Sequence, residues 1–460
     1  MIKKSIKTIF ISNILEGFYQ SYKTLPPKQR SFWISYDSME GNRALLYNSD
    51  DKAVITSYEI NPLYFKNISQ LMNWKNVWNL TPKKTSYSIC QDCINNNVLN
   101  NQLVNLIKTN PGINIIPYRS TPEFQLLICH LNSKNLKFTT PETIPPDHQF
   151  TLNYFNTKRG FRHLWHLAFF SSEKSNHKIP IPEGFITGNR EEAIEAAWWF
   201  KQQKRSFVIK YNRGVQGMGI ILNNQSTFPN NKKEFSKKLS LLLKENIWNE
   251  PSIIVEELID IDNTNLSGSP NVELFIKPNG KTVFSYACEQ ILDRDKKTFR
   301  GIYIYPELIK NRFIKAASKA GQVFSHKLAS YGYRGCFDID LVVSKDQKVY
   351  AVEANLRRTG GTHIHEAIVS LLGKNYWRSF YVLNEDIMLS NGSDLSYDKC
   401  LSIFADILFD KKSQSGIIFS NPDMLKVNVF NYILIGHSHE QIQSFRQLVK
   451  KRLTPKYYSP

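Results

Sequence analysis

Two short stretches fix most of what this chain can become: Gly335-Cys-Phe-Asp-Ile-Asp-Leu-Val-Val343 and Val349-Tyr-Ala-Val-Glu-Ala-Asn-Leu-Arg-Arg358, separated by Ser344-Lys-Asp-Gln-Lys348. Both runs are rich in β-branched and aromatic residues and the polar break between them reads as a turn, so together they read as a β-hairpin. Side chains alternate across a strand, which places Asp338 and Asp340 on one face of the first strand and Glu353, Asn355 and Arg357 on one face of the second. A two-residue turn at Asp346-Gln347 sets Asp340 opposite Glu353 and Asp338 opposite Asn355. Three carboxylates, an amide and an arginine then converge on one patch of sheet.

Like charges facing each other across strands are destabilising, so something must offset them. Carboxylate and amide oxygens suit Mg²⁺, which takes one or two carboxylates and completes its shell with water and phosphate oxygens. The bland alternative is a solvated hairpin with charged outward faces. The matched register of the two acidic strands, and their continuation into Arg357-Arg358-Thr-Gly-Gly-Thr-His363, favour the metal.

Asp340 followed by Glu353-Ala-Asn355-Leu-Arg357 resembles the magnesium-binding signature of the ATP-grasp ligases. The longer run Glu353 to His363 resembles the pheganomycin-type peptide ligases, an ATP-grasp branch that joins a carboxylate to a peptide amine. The resemblance implies an α/β (α+β) architecture in four parts. These are a pre-ATP-grasp α/β domain over 1–147, a lid subdomain over 148–258, a central subdomain with the Mg²⁺ site over 259–372, and a small C-terminal α/β domain over 373–460.

The rest of the chain is consistent with that scheme. At 460 residues it has room for two to four domains. No apolar run approaches the ~18 residues of a membrane helix. The basic, briefly apolar start lacks a small-residue cleavage site and reads as mature chain, and a reducing cytoplasm is the expected compartment. Cys90-Gln-Asp-Cys93 has no second Cys or His pair at zinc spacing and reads as a helix-borne structural pair. The net charge of +19 invites an anionic partner. The lysines are spread along the whole chain and no zinc-finger, RNP or KH pattern accompanies them, so a solvated basic surface is expected rather than nucleic-acid binding.

In the first 147 residues, Ser31–Tyr36, Lys52–Tyr58 and Ile113–Pro117 read as strands and Asn97–Lys108 as a helix, the alternation of a small α/β domain. The segment Cys93–Leu127 resembles the pre-ATP-grasp domain of the same ligases in pattern. Pro-rich Thr139–Asp147 marks a boundary. Beyond it Lys158 opens a helix, and Asn189-Arg-Glu-Glu192 starts another with a capping box. Strand Phe207–Lys210, the loop carrying Gly214, Gly217 and Gly219, and strand Ile220–Leu222 make a strand–loop–strand unit. Its glycines can bring backbone N–H groups close to phosphates. No Gly-Lys-[Ser/Thr] follows, which excludes a P-loop, and no helix follows, which argues against a dinucleotide fingerprint. Ser252–Ile259 is an apolar strand ending in acids.

Residue by residue, the resemblance implies that Lys158, Lys210 and the Gly214–Gly219 loop hold the phosphates of ATP. Glu256, Glu257, Leu258 and Glu289 lie at the nucleotide, and Asp340, Glu353 and Asn355 hold one or two Mg²⁺ ions, for which Mn²⁺ can substitute. Arg357 steadies the transferring phosphoryl, assisted by Lys210 and Arg300. Arg358, Thr362 and His363 bind the acceptor carboxylate. This branch tends to carry His before its Glu-Gln pair, where this chain has Cys288. The implied reaction joins a carboxylate, activated as an acyl phosphate, to an amine, releasing ADP and phosphate; either substrate can be a small molecule or a peptide. A ligase for other small molecules is the alternative within the superfamily. A catalytically inactive basic nucleotide- or nucleic-acid-binding protein is the alternative outside it, against which stand all six of Lys158, Lys210, Asp340, Glu353, Asn355 and Arg357. The oligomeric state stays open, a homodimer included.

Overall fold

The computed structural model describes residues 5–47, 50–170, 177–214, 219–223, 228–249, 251–293, 298–454 and 457. The N-terminal part folds around a parallel sheet of β1 (Thr8–Ile11), β2 (Lys52–Ile55), β3 (Val77–Leu80), β4 (Ile113–Pro117) and β5 (Phe138–Thr139), ordered β3-β2-β1-β4-β5. Every residue of β1 and β2 is buried, as expected of a parallel sheet covered on both faces. The helix Asn97–Thr109 forms where its periodicity puts it, with the Asn96 side chain accepting from Leu99 N–H at its start. Cys90 and Cys93 sit on the helix Ile89–Asn95, and burial pushes both thiols up, which suits a packing role.

One expectation in this region fails. Ser31–Tyr36 is not a strand but the middle of the helix Pro27–Glu40. Its aromatic residues imitate a strand, yet Trp33, Tyr36, Asp37 and Glu40 recur at helical spacing, and Pro27 occupies the first helical turn, where a missing N–H costs nothing.

The second unit is an antiparallel sheet of β6 (Gly184–Thr187), β7 (Phe207–Tyr211), β8 (Ile220–Asn223) and β9 (Ile253–Glu257), ordered β6-β9-β7-β8. Phe207, Ile209, Tyr211, Ile253 and Val255 turn one face into a core with the helices Arg190–Gln202 and Lys232–Leu242. A variant of the capping box starts the first helix: Asn189 Oδ1 accepts from Glu192 N–H, while the Glu192 carboxylate accepts from Asn189 Nδ2 and from Gly188 N–H. The opposite face of this sheet carries Lys210 and Glu256.

The third unit is an eight-stranded antiparallel sheet. Its strands are β10 (Pro270–Ile276), β11 (Thr282–Leu292), β12 (Phe299–Ile304), β13 (Gly335–Val343), β14 (Val349–Asn355), β15 (Tyr381–Met388), β16 (Gly416–Phe419) and β17 (Val429–Gly436). Their order is β14-β13-β10-β11-β12-β15-β17-β16. The helix Arg312–Ser330 lies on one face, where Gly321 lets it approach Leu274 and Ile339 closely. Residues 373–460 thus add three strands to this sheet rather than building one of their own. A single apolar cluster runs from the parallel sheet through to the C-terminal helix His439–Leu453.

The β13–β14 hairpin has the expected pairs, Asp338 with Asn355 and Asp340 with Glu353, but reaches them differently. The loop has three residues, Lys345 to Gln347, closed by Ser344 N–H donating to Lys348 C=O, and Gln347 adopts φ 60. That is the three-residue hairpin geometry, whose last position is left-handed. The longer loop shifts the register by one, and a bulge beside Asp340 and Leu341 shifts it back. Without that bulge the acidic residues would not meet.

Candidate active site

The face of the eight-stranded sheet away from the helix Arg312–Ser330 forms the floor of a cleft of about 470 Å³, roofed by the parallel-sheet unit and entered beside the Lys158 helix. Strand alternation places the floor residues. Asn355, Asp338, Asp340, Asn271, Gln290, Arg300 and Asp386 form a polar row across neighbouring strands, each on the cleft side.

At one end of that row the hydrogen bonds form a network. Asn355 Nδ2 donates to Asp338 (3.0 Å) and Asp340 (3.1 Å), and Asn271 Nδ2 donates to the same two carboxylates at 2.9 and 2.8 Å. Gln290 also donates to Asp340. Lys158 Nζ reaches Glu353 Oε1 at 3.1 Å and Gly214 C=O at 3.0 Å, joining the lid to the hairpin. Burial pushes the carboxyls of Asp338 and Asp340 above the usual range; for Asp340 the charges of Asp338 and Glu353 add to it. Arg357 donates to Asn355 Oδ1 (3.0 Å), and its guanidinium lies over the rings of Phe18 and Tyr118.

These residues suit a hard divalent cation. Asp340 and Glu353 lie side by side, their neighbours supply further oxygens, and Asn271 Oδ1 is buried in the same patch without a partner among the described residues. In the present arrangement Asn355 turns its NH₂ to the carboxylates; rotated about its terminal bond, it offers Oδ1 to the same place. Among the described residues no group of three or more His, Cys, Asp or Glu side chains is assembled for a metal, so amide and phosphate oxygens must complete any shell here.

Lys158 is set by local structure. Thr157 Oγ1 accepts from Gly160 N–H at 3.0 Å, and Asn212 takes the N–H groups of Lys158 and Arg159, tying the glycine loop to the helix start. A Cβ on Gly160 would lie 1.9 Å from the Tyr154 carbonyl oxygen, so only glycine lets this helix begin here.

Of the residues singled out from sequence, Lys158, Gly214, Arg300, Asp340, Glu353, Asn355, Arg357 and His363 share the cleft. Arg300 is held by Asp293 at 2.7 Å. His363 is buried, with Nδ1 unpartnered, and burial beside Arg43 holds its imidazole neutral. Gly219, at φ 69, accepts from Tyr211 N–H and closes the base of the glycine loop, whereas Gly217 lies outside the described residues.

Other residues are turned elsewhere. Lys210 pairs with Glu256, which also takes Arg162 Nη1 at 2.8 Å, making a largely buried triad on the polar face of the four-stranded sheet. Glu257 faces Arg205, and Leu258 N–H donates to Ser206 C=O; neither borders the cleft described. Glu289 alternates with Cys288 and Gln290, so it points to the opposite side of the sheet, toward Ser267 and Tyr305. Arg358 is also turned away from the cleft: its guanidinium is buried against Glu142 and Glu366 and over the Tyr47 ring. Thr362 Oγ1 donates to Glu273 (2.5 Å) and accepts from Thr359 N–H, anchoring the turn rather than facing a ligand.

The cleft also contains residues that sequence reasoning passed over. Asn271 and Gln290 needed only the extension of strand alternation to β10 and β11. Arg43 and the helix Pro27–Glu40 supply the roof, and their only sequence signal was the helical spacing already noted.

No protein-family model matches the sequence, and no curated protein matches it. Solved structures do. The chain has the ATP-grasp fold, which similar structures match over 98–99% of its length. One similar structure is the N5-carboxyaminoimidazole synthetase of Staphylococcus aureus complexed with ADP, with TM-score 0.53, 12% identity, and 98% of each chain covered. Another is the βγ-ATP complex of biotin carboxylase from Campylobacter jejuni, with TM-score 0.55 and 11% identity, covering 99% of this chain and 92% of that one. Among the described residues no helix is long and apolar enough to cross a membrane.

Proposed function

We propose that this protein is an ATP-dependent carboxylate–amine ligase that forms an amide, with an amino-acid or peptide amine as acceptor. The observation that carries the reading is Lys158 meeting Glu353 in a cleft whose floor pairs Asp340 with Glu353 and whose lining includes Arg43, Arg300 and Arg357. The similar structures bound to ADP and a βγ-ATP ligand support a nucleotide in this fold.

In this reading, a carboxylate oxygen attacks the γ-phosphoryl of ATP and the β–γ bridge breaks, leaving ADP and an acyl phosphate. The amine then bonds to the acyl carbon, phosphate departs, and the amine proton goes to solvent. Phosphoryl transfer asks mainly for positioning and neutralisation of charge. Lys158, its ammonium oriented by Gly214 C=O, holds the phosphates, Arg357 braces the transferring group, and Arg300 and neutral His363 line the space for the substrates. Asp340, Glu353 and Asn355 would hold Mg²⁺, which when bound neutralises phosphate charge. Lys210 acts indirectly, through Glu256 and Arg162. The run Glu353 to His363 supports the peptide-ligase branch.

The test is ADP release with Mg²⁺ and pooled amino acids and peptides. ADP and phosphate appear only when a carboxylate and an amine are both present, and Glu353→Gln lowers the rate by on the order of 100-fold with the fold intact. Release of AMP and pyrophosphate breaks the acyl-phosphate mechanism, and a variant within a few-fold of wild type removes Glu353 from the reaction.

A further inference from the structure

Beyond the metal-binding patch the cleft continues between the helix Pro27–Glu40 and strands β15 and β17, and its chemistry changes. Asp37, Glu40 and Asp386 converge there with Asn421 and Asn431. The two amides are locked by their own NH₂ groups. Asn421 Nδ2 donates to Met39 C=O at 3.0 Å and Asn431 Nδ2 donates to Asp386 Oδ1 at 2.6 Å. Each Oδ1 is thereby fixed as an acceptor, and each is buried without a partner among the described residues, on residues 2% and 5% exposed. Asp37 repeats the pattern, Oδ2 accepting from Tyr22 O–H at 2.6 Å while Oδ1 is buried and unpartnered.

We propose that this end of the cleft seats a cationic, donor-rich group of the substrate, an ammonium or guanidinium such as a basic amino acid or basic peptide carries. It rests on the ligase reading only in calling the occupant a substrate. Two orphaned amide oxygens among three carboxylates, one of which has an orphaned oxygen of its own, need donors, since a buried polar group without a partner is costly. The facing cations do not suffice. Arg43 is paired with Glu40, even though its Nε lacks a partner among the described residues, Arg300 is paired with Asp293, and Arg357, whose charge also reaches Asp37, donates to Asn355 Oδ1 and Arg358 C=O. Burial drives Asp37 and Asp386 up to about 7, as expected of carboxylates short of positive charge. Trp33 and Tyr36 border the same space, and aromatic faces suit an ammonium or guanidinium.

The experiment is calorimetric titration of the full chain, without ATP, using agmatine and L-arginine, with L-citrulline and L-glutamate as neutral and acidic counterparts. The cations bind and the other two bind at least about tenfold more weakly, and Asp386→Asn and Asp37→Asn each weaken agmatine by about tenfold. Equal binding of citrulline, or unchanged agmatine affinity in both folded variants, overturns the proposal; should a variant fail to fold, the agmatine–citrulline comparison on the wild-type chain decides. Agmatine binding without ADP release for any acceptor retires the ligase and keeps the cation site. ADP release that prefers neutral or acidic amines does the reverse.

Discussion

Arg357 and Arg358 are neighbours in sequence with opposite fates, and replacing each by Met separates binding from stability. Arg358 Nη2 lies 2.9 Å from both oxygens of Glu142, Nη1 donates to Glu366, and the side chain is 4% exposed. Removing one partner of a buried ion pair costs about 3–5 kcal/mol, because the other charge is stranded. Loss of the ring contacts with Tyr47 and Phe10 adds about 1 kcal/mol. Against a total of about 5–15 kcal/mol, Arg358→Met is a severe lesion. It should also be pH-dependent. Burial raises the Glu142 carboxyl and Arg358 opposes that, so in the variant it rises further. A group whose folded pKa is raised contributes stability below its unfolded value and loses it as pH rises through the folded value, so the deficit grows as pH rises through and above the ordinary carboxylate range. Arg357→Met, by contrast, should stay within about 2 kcal/mol of wild type and lose on the order of 100-fold in kcat. Urea denaturation and ADP release measure the two. An Arg358→Met protein as stable as wild type with a raised KM, or an Arg357→Met protein that unfolds easily yet turns over normally, refutes the reasoning.

Two further perturbations follow from the geometry. Burial raises Glu273 from 4.5 to about 7, although Thr359 and Thr362 donate to it, so its contribution to stability is complete below about pH 4.5 and lost as pH rises through about 7. Glu273→Gln should flatten that slope and gain about 3 kcal/mol at pH 8 in urea titrations; an unchanged slope assigns it to another group. Gly160→Ala drives a Cβ into the Tyr154 carbonyl and should displace the Lys158 helix start, lowering both melting temperature and ADP release. Wild-type behaviour in both would show that the helix can begin elsewhere.

What the sequence made legible was local. The β13–β14 pairing could be read from alternation, and the site-side outcome was right although the turn was not. Two departures from the expected turn, a third loop residue and a bulge at Asp340 and Leu341, cancel before the strands reach Glu353. Sequence patterning specifies which face must carry the acids, and backbone geometry supplies the extra residue that keeps them there. Arg358 and Glu289 were misplaced for a related reason. Residues one step from a cleft residue point the other way, and the ion-pair partner that fixes Arg358, Glu142, lies far off in sequence.

The same geometry explains why the floor of the cleft was easier to read than its roof. The floor of the cleft is one sheet face, so its chemistry repeats with period two along strands that can be recognised individually. The roof is a helix from the parallel-sheet unit, brought over the floor by contacts such as Asn421 Nδ2 donating to Met39 C=O, which no local pattern announces. The floor's polar groups therefore recur along strands that can be recognised, while the roof comes from a segment about three hundred residues away in sequence. Substitutions in the helix Pro27–Glu40 should accordingly change which acceptor is used, visible in KM, and leave ATP binding at Lys158 and Glu353 intact. A Trp33→Ala protein with an unaltered acceptor profile and weakened nucleotide binding would invert that division.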